Sequence, residues 1–142
     1  MIKTFKGNLA PGDAMEIRLS RNDGLTGYKI AKFQLMPTNP GGGNFEYVSQ
    51  VFATPHDASA TVDFNDPTIL AVALWHTANS YEVHFDKEAI FDDKIFNQDI
   101  TITMADAAGG TTVCNYYLEL EEMKLDLSEA TVATLRDMRG RE

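Results

Sequence analysis

The chain has 142 residues, a length typical of one domain, and its 44% hydrophobic and 23% charged residues are ordinary for a folded protein. A net charge of −9 disfavours binding to nucleic acid or to anionic membranes, because both require a basic face. The single cysteine, Cys114, excludes an intrachain disulfide, and its place in a strand-like run predicts a buried, inert thiol. The N-terminal residues resemble no signal peptide and no run is long enough for a membrane span, so we expect synthesis in a cytoplasm.

Short segments in which apolar and polar residues alternate dominate the chain. This period of two predicts strands with one buried face. In chain order, the predicted strands are residues 2–6, 15–19, 28–36, 45–53, 61–64, 69–75, 81–85, 100–104 and 114–120. Residues 69–75 are apolar on both faces, which favours a strand between two layers. Turn residues such as Pro11-Gly12-Asp13 and Asn65-Asp66-Pro67 separate the segments.

The third predicted strand contains a break in its alternation. Tyr28 and Ile30 are followed by Phe33 and Leu35, so the apolar phase shifts after Ile30. One extra residue in the strand, a β-bulge, would produce this shift.

Many short strands at near-regular spacing predict an all-β fold. We expect an antiparallel β-sandwich, jelly-roll-like, over residues 1–125, followed by one C-terminal amphipathic α-helix and tail over residues 126–142. Asp126 and Glu129 have the spacing of a capping box at the start of that helix. The helix has an apolar stripe of Leu127, Thr131, Leu135 and Met138, with Val132 beside it. The stripe either covers one end of the sandwich or reaches a neighbouring subunit.

Residues that could carry catalysis form no recognisable motif. His56, His76 and His84 fit no zinc pattern, and no G-x-S-x-G element is present. We therefore expect no enzyme, no cofactor and no metal, although a Ser–His–Asp group assembled in space stays open as a hypothesis. Residues 63–67 bring several oxygen ligands together, and a self-hydrogen-bonded turn is the alternative to a calcium site there.

Three segments carry a resemblance to a known group of proteins: IKTFKG at residues 2–7, GYKIAKF at 27–33, and NYYLELE at 115–121, which leads into residues 130–139. In this layout the chain resembles small virion-associated β-sandwich proteins of tailed bacteriophages, of the kind found in marine phages. The resemblance rests on no catalytic or ligand motif and transfers no functional residue. It implies a structural role in the virion, as a capsid decoration (cement) protein or a small tail or fibre component.

Together these observations predict a non-enzymatic protein that forms homo-oligomers and contacts other virion proteins such as the major capsid protein. Because termini can reach outward, the predicted inter-subunit contacts are Phe5, Leu127, Val132, Leu135 and Met138. The alternative function is a carbohydrate-binding β-sandwich module, which needs an exposed aromatic platform. Its candidate platform residues are Tyr47, Trp75 and Tyr117.

Overall fold

The computed structural model describes the backbone of residues 1–20, 24–39, 44–79 and 83–139, and their side chains apart from those of 78–79, 83–86 and 137–139. Over these residues the chain forms eight strands and one helix. They are β1 (Ile2–Leu9), β2 (Ala14–Ile17), β3 (Thr26–Pro37), β4 (Phe45–Phe52), β5 (Ile69–Asn79), β6 (Val83–Phe91), β7 (Ile100–Asp106), β8 (Cys114–Lys124) and α1 (Leu127–Arg139).

The strands form two antiparallel sheets that share one hydrophobic core. The three-stranded sheet has the order β1-β8-β3, and the five-stranded sheet has the order β2-β7-β4-β5-β6. The alternation seen in the sequence points one set of side chains from each sheet into the core. The largest fully buried apolar side chains are Tyr28, Phe33, Tyr47, Val51, Phe96, Ile100, Ile102, Met104, Leu118 and Leu120. The predicted all-β antiparallel sandwich with one C-terminal helix is therefore confirmed.

The strand pairing follows the order of a jelly roll except at one place. A jelly roll pairs the first strand with the eighth, the second with the seventh, the third with the sixth and the fourth with the fifth. The pairs β1–β8, β2–β7 and β4–β5 are all present as antiparallel ladders. Within the described chain, β3 contacts β6 without forming a ladder, and β6 pairs with β5 instead. The sandwich is thus open along the seam between β3 and β6.

The β-bulge predicted in the third strand is confirmed. Ile30 pairs with Leu120 and Lys32 pairs with Glu119, so Ala31 is an extra residue without its own partner in β8. The bulge keeps both Ile30 and Phe33 buried in the core, although they are an odd number of residues apart.

The prediction of a strand at residues 61–64 is wrong. These residues belong to the connection between β4 and β5, which turns at Asp63, where the carbonyl accepts a hydrogen bond from the Asp66 backbone (3.1 Å). The connection covers the outer face of β4. There the buried Gln50 amide donates hydrogen bonds to the carbonyls of Ser59 (3.1 Å) and Thr61 (3.0 Å). Backbone groups that would have paired with a neighbouring strand are used to satisfy a buried side chain instead.

Candidate functional site

The C-terminal helix begins with a reciprocal capping box, as the sequence predicts. The Asp126 carboxylate accepts a hydrogen bond from the Glu129 backbone at 2.8 Å, and the Glu129 carboxylate accepts one from the Asp126 backbone at 3.3 Å. The bond from Glu129 lowers the pKa of Asp126 below its ordinary value. Since two otherwise unpaired N–H groups are satisfied, the start of α1 is fixed directly after β8.

A buried asparagine fixes the orientation of α1 on the sandwich. Asn97 is fully buried, and its Nδ2 lies 2.8 Å from Thr134 Oγ1, 3.0 Å from the Gly24 carbonyl and 3.3 Å from the Ala130 carbonyl. Beside these contacts, Ala130 and Ala133 pack against the sandwich and are 4% and 5% exposed. The helix therefore docks through its small residues and one polar anchor.

The docking leaves the larger apolar side chains of the helix in solvent. Leu127 is 76% exposed, Val132 is 64% exposed and Leu135 is 52% exposed. The possibility that these three side chains cover their own sandwich is thus excluded. The side chain of Met138, the fourth predicted contact on this helix, lies outside the described residues. We call Leu127, Val132 and Leu135 the helix stripe.

A groove of about 330 Å³ runs between the helix and the chain that precedes β7. Ile95 and Leu125 line its floor, with Val132 of the helix stripe at its edge. Arg136 crosses the groove, where its guanidinium donates a hydrogen bond to the Ile95 carbonyl. Val132 therefore belongs both to the helix stripe and to the lining of this mostly apolar groove.

Phe5, the predicted contact outside the helix, lies on edge strand β1. Its Cα partner is Leu118, so its side chain is on the inner face of the three-stranded sheet. Phe5 is partly buried and packs against the hydrophobic core.

Two of the three aromatic residues proposed as a sugar platform are core residues. Tyr47 is 0% exposed and donates a hydrogen bond to the Thr112 carbonyl at 2.8 Å, and burial raises its pKa to about 12. Trp75 is 7% exposed and donates a hydrogen bond to Thr77 Oγ1 at 2.5 Å. The prediction that Tyr47 and Trp75 form an exposed platform is therefore wrong. The two residues are cross-strand partners, and both side chains lie on the inner face of the five-stranded sheet. Tyr117 is half-buried on the outer face of the other sheet.

Two of the predicted histidines have polar partners among the described residues: His76 Nε2 lies 3.5 Å from the Glu46 carboxylate, and His56, in the β4–β5 connection, belongs to a larger cluster. His56 Nε2 lies 3.3 Å from the Asp66 carboxylate and 3.3 Å from Thr68 Oγ1, and its Nδ1 lies 3.0 Å from the Thr54 carbonyl. Thr68 Oγ1 donates to the same Asp66 carboxylate at 2.6 Å. Sequence reasoning missed this cluster because its members meet only when the connection folds back on itself.

This cluster has the composition of a nucleophile, a histidine and an acid, but its hydroxyls do not face solvent. Thr54 and Thr68 are buried, and the imidazole of His56 stacks on Phe52 with ring centroids 3.8 Å apart. Burial raises the pKa of Asp66, but the hydrogen bonds from Thr68 and the nearby His56 outweigh this effect and lower it. The arrangement fastens the β4–β5 connection against the outer face of the sheet.

The remaining candidates have simple structural roles. The Asp63 carboxylate accepts a hydrogen bond from the Asn65 backbone at 2.9 Å, as in a self-bonded turn. Across the described residues, no group of three or more potential ligands could hold a metal ion. Cys114 is buried, as predicted, and burial raises its pKa to about 12.

The chain matches no protein-family model and no curated protein sequence. Among the described residues there is no helix with the length and apolar character needed to cross a membrane.

Proposed function

We propose that the protein is a non-enzymatic structural component of a virus particle, either a capsid decoration protein or a small tail component, that works by association with copies of itself and with other virion proteins. The observation that carries the proposal is the docking of α1. The helix turns its alanines toward the sandwich and its leucines toward solvent. Burying one such apolar side chain stabilises an association by roughly 1.5–3 kcal/mol, so the helix stripe favours contact with a second surface.

The charges of the helix support a second copy of the chain as that surface. Acidic Asp126 and Glu129 lie at its start, whereas Arg136, Asp137 and Arg139 near its end leave a net positive charge there. In an antiparallel pair of helices related by a two-fold axis, the acidic first turn of one copy faces the basic last turn of the other. The same residues meet their counterparts on both copies, so one stripe is sufficient for a closed dimer.

The virion setting of the proposal is supported by the resemblance to small β-sandwich proteins of tailed bacteriophages and by the charge. A protein with net charge −9 does not adhere to DNA through its phosphates. Like charge also keeps unassembled copies apart until an apolar contact is made. A rigid sandwich with an outward helix is suited to repeated contacts on a lattice.

The self-association is tested with a double variant, Leu127→Glu with Leu135→Glu. Both side chains are exposed, so the variant is expected to fold with the circular-dichroism spectrum of the wild type. The matched control is Ile90→Glu, which replaces an apolar side chain of similar exposure on β6. We expect analytical ultracentrifugation to give an oligomer for the wild type and the control and a monomer for the double variant. If all three have the same sedimentation coefficient, the helix stripe is not the interface.

The virion role is tested by cosedimentation of the purified chain with capsids of a tailed bacteriophage that encodes it. Saturable binding to capsids lacking this protein would support a decoration role. Binding to purified tails and not to capsids would support the tail alternative. Absence of binding to both would overturn the virion proposal, even if the chain forms oligomers on its own.

A further inference from the structure

The seam where the jelly-roll order is broken contains a cleft lined by both polar and apolar side chains, the apolar ones being Leu35, Met36 and the ring of Tyr116. β3 is an edge strand of the three-stranded sheet and β6 is an edge strand of the five-stranded sheet, and the two lie in contact on one side of the sandwich. A cleft of about 310 Å³ opens along this seam. It lies apart from α1, which neither contributes to its lining nor contacts it.

Lysine side chains approach the cleft from both sheets. Lys32 and Gln34 belong to β3, and Asn115 and Tyr117 belong to the neighbouring β8. Lys87 belongs to β6, and its Cα partner is Trp75, a core residue. Because paired residues point to the same face of a sheet, Lys87 extends toward the three-stranded sheet and reaches the cleft.

The two ammonium groups are available to an anion. Over the part of the chain that is described, neither Lys32 nor Lys87 has a carboxylate oxygen within 4 Å, whereas Lys29 on the same sheet is paired with Glu121 at 3.4 Å. Lys32 Nζ lies 5.6 Å from the ring centroid of Tyr117, close enough for a cation–π contact. Glu119 is the Cα partner of Lys32, and its carboxylate accepts the hydrogen bond of the Tyr117 hydroxyl. The two ammonium groups without a carboxylate within 4 Å are therefore the groups of this cleft that attract an anion.

The other lining residues define what kind of anion fits. The amides of Gln34 and Asn115 each offer a donor and an acceptor, which matches the hydroxyl groups of a sugar ring. The ring of Tyr117 is held by its hydroxyl, which donates to Glu119 at 2.5 Å, and it offers an apolar surface. The volume is near the lower end of the roughly 300–1,000 Å³ typical of small-ligand sites, which favours one or two sugar rings over a protein segment.

We propose that the cleft between β3 and β6 binds a carboxylated saccharide, with the carboxylate between Lys32 and Lys87 and the hydroxyl groups on Gln34 and Asn115. This site does not depend on the helix stripe, so self-association and saccharide binding succeed or fail separately. For a virion component, such a site would give contact with an acidic surface polysaccharide.

The proposal is tested by NMR titration of the ¹⁵N-labelled protein with digalacturonate. We expect shifts of the side-chain amides of Gln34 and Asn115 and saturation at millimolar ligand. Digalactose, the neutral counterpart, is expected to cause at least tenfold weaker binding. Lys87→Met should weaken digalacturonate binding at least tenfold, whereas Lys29→Met, which removes an ion-paired lysine on the same sheet, should leave it unchanged.

Three results would overturn the proposal. One is the absence of shifts at Gln34 and Asn115 throughout the titration. Another is equal loss of binding in Lys87→Met and Lys29→Met, which would indicate attraction by general surface charge. The third is binding of a tetraglutamate peptide at least as tight as that of digalacturonate, which would show that the cleft recognises carboxylate charge in a peptide and not a sugar.

Discussion

The anchor formed by Asn97 gives the most direct prediction about how the helix is held. Replacing Asn97 with alanine removes a buried amide that lies within hydrogen-bond distance of Thr134 Oγ1, the Gly24 carbonyl and the Ala130 carbonyl. A buried hydrogen bond contributes roughly 1 kcal/mol net, and a buried group left unpaired costs roughly 1–3 kcal/mol. We therefore expect Asn97→Ala to lower the free energy of unfolding by roughly 2–3 kcal/mol.

The measurement is thermal unfolding followed by circular dichroism. For a chain of this size, each kcal/mol corresponds to roughly 4 °C in Tm, so we expect a decrease of roughly 8–12 °C. Asn8→Ala is the control, because Asn8 is exposed on β1. Amide hydrogen exchange in α1 should also become faster in Asn97→Ala. If Asn97→Ala and Asn8→Ala melt within 2 °C of each other, the anchoring role is refuted.

Three further predictions concern other parts of the molecule. The lowered pKa of Asp66 stabilises the fold above about pH 4, and this stabilisation is lost as pH falls through the folded-state value. The stability difference between wild type and Asp66→Asn should therefore shrink in urea titrations below pH 4. Gly27→Ala would place a Cβ 2.8 Å from Leu125 Cδ2, and we expect a loss of roughly 1–3 kcal/mol in chemical unfolding. Cys114 should react with iodoacetamide only after denaturation, because it is buried with a pKa of about 12; rapid labelling of the native protein would contradict its placement.

The sequence predicted the features that depend on local pattern. Period-two alternation located the central strands, and the phase shift after Ile30 located the bulge at Ala31. The spacing of Asp126 and Glu129 predicted a capping box that the structure contains. In each case the signal lies within a few residues of the chain, so it does not depend on which other segment is nearby.

The predictions that are wrong or incomplete concern features that depend on contacts between segments distant in the sequence. The pattern of residues 61–64 resembles a strand, but the Thr61 carbonyl accepts a hydrogen bond from the Gln50 side chain and Phe64 is exposed. The second half of β6, up to Phe91, was missed because it follows the polar Lys87-Glu88 pair on an edge strand. The sequence does not show whether Tyr47 and Trp75 are buried or exposed, because the alternating pattern does not specify which face of these strands points into the core.

The candidate surfaces were predicted only in part. The helix stripe could be read from the sequence. The direction that it faces depends on the burial of Ala130 and Ala133 and on the contact of Asn97 with the Ala130 carbonyl, which form only in the folded chain. The cleft between β3 and β6 had no signal in the sequence. It arises because β6 pairs with β5 and leaves the β3 edge open, and Lys32 and Lys87 are far apart along the chain.

The measurement that tests the proposed function most directly is the molar mass of the purified wild-type chain by light scattering across a range of concentrations. We expect a mass of two or more chains that persists on dilution into the micromolar range and falls to that of one chain in the Leu127→Glu, Leu135→Glu variant. A wild-type mass of one chain at every concentration would contradict self-association through the helix stripe.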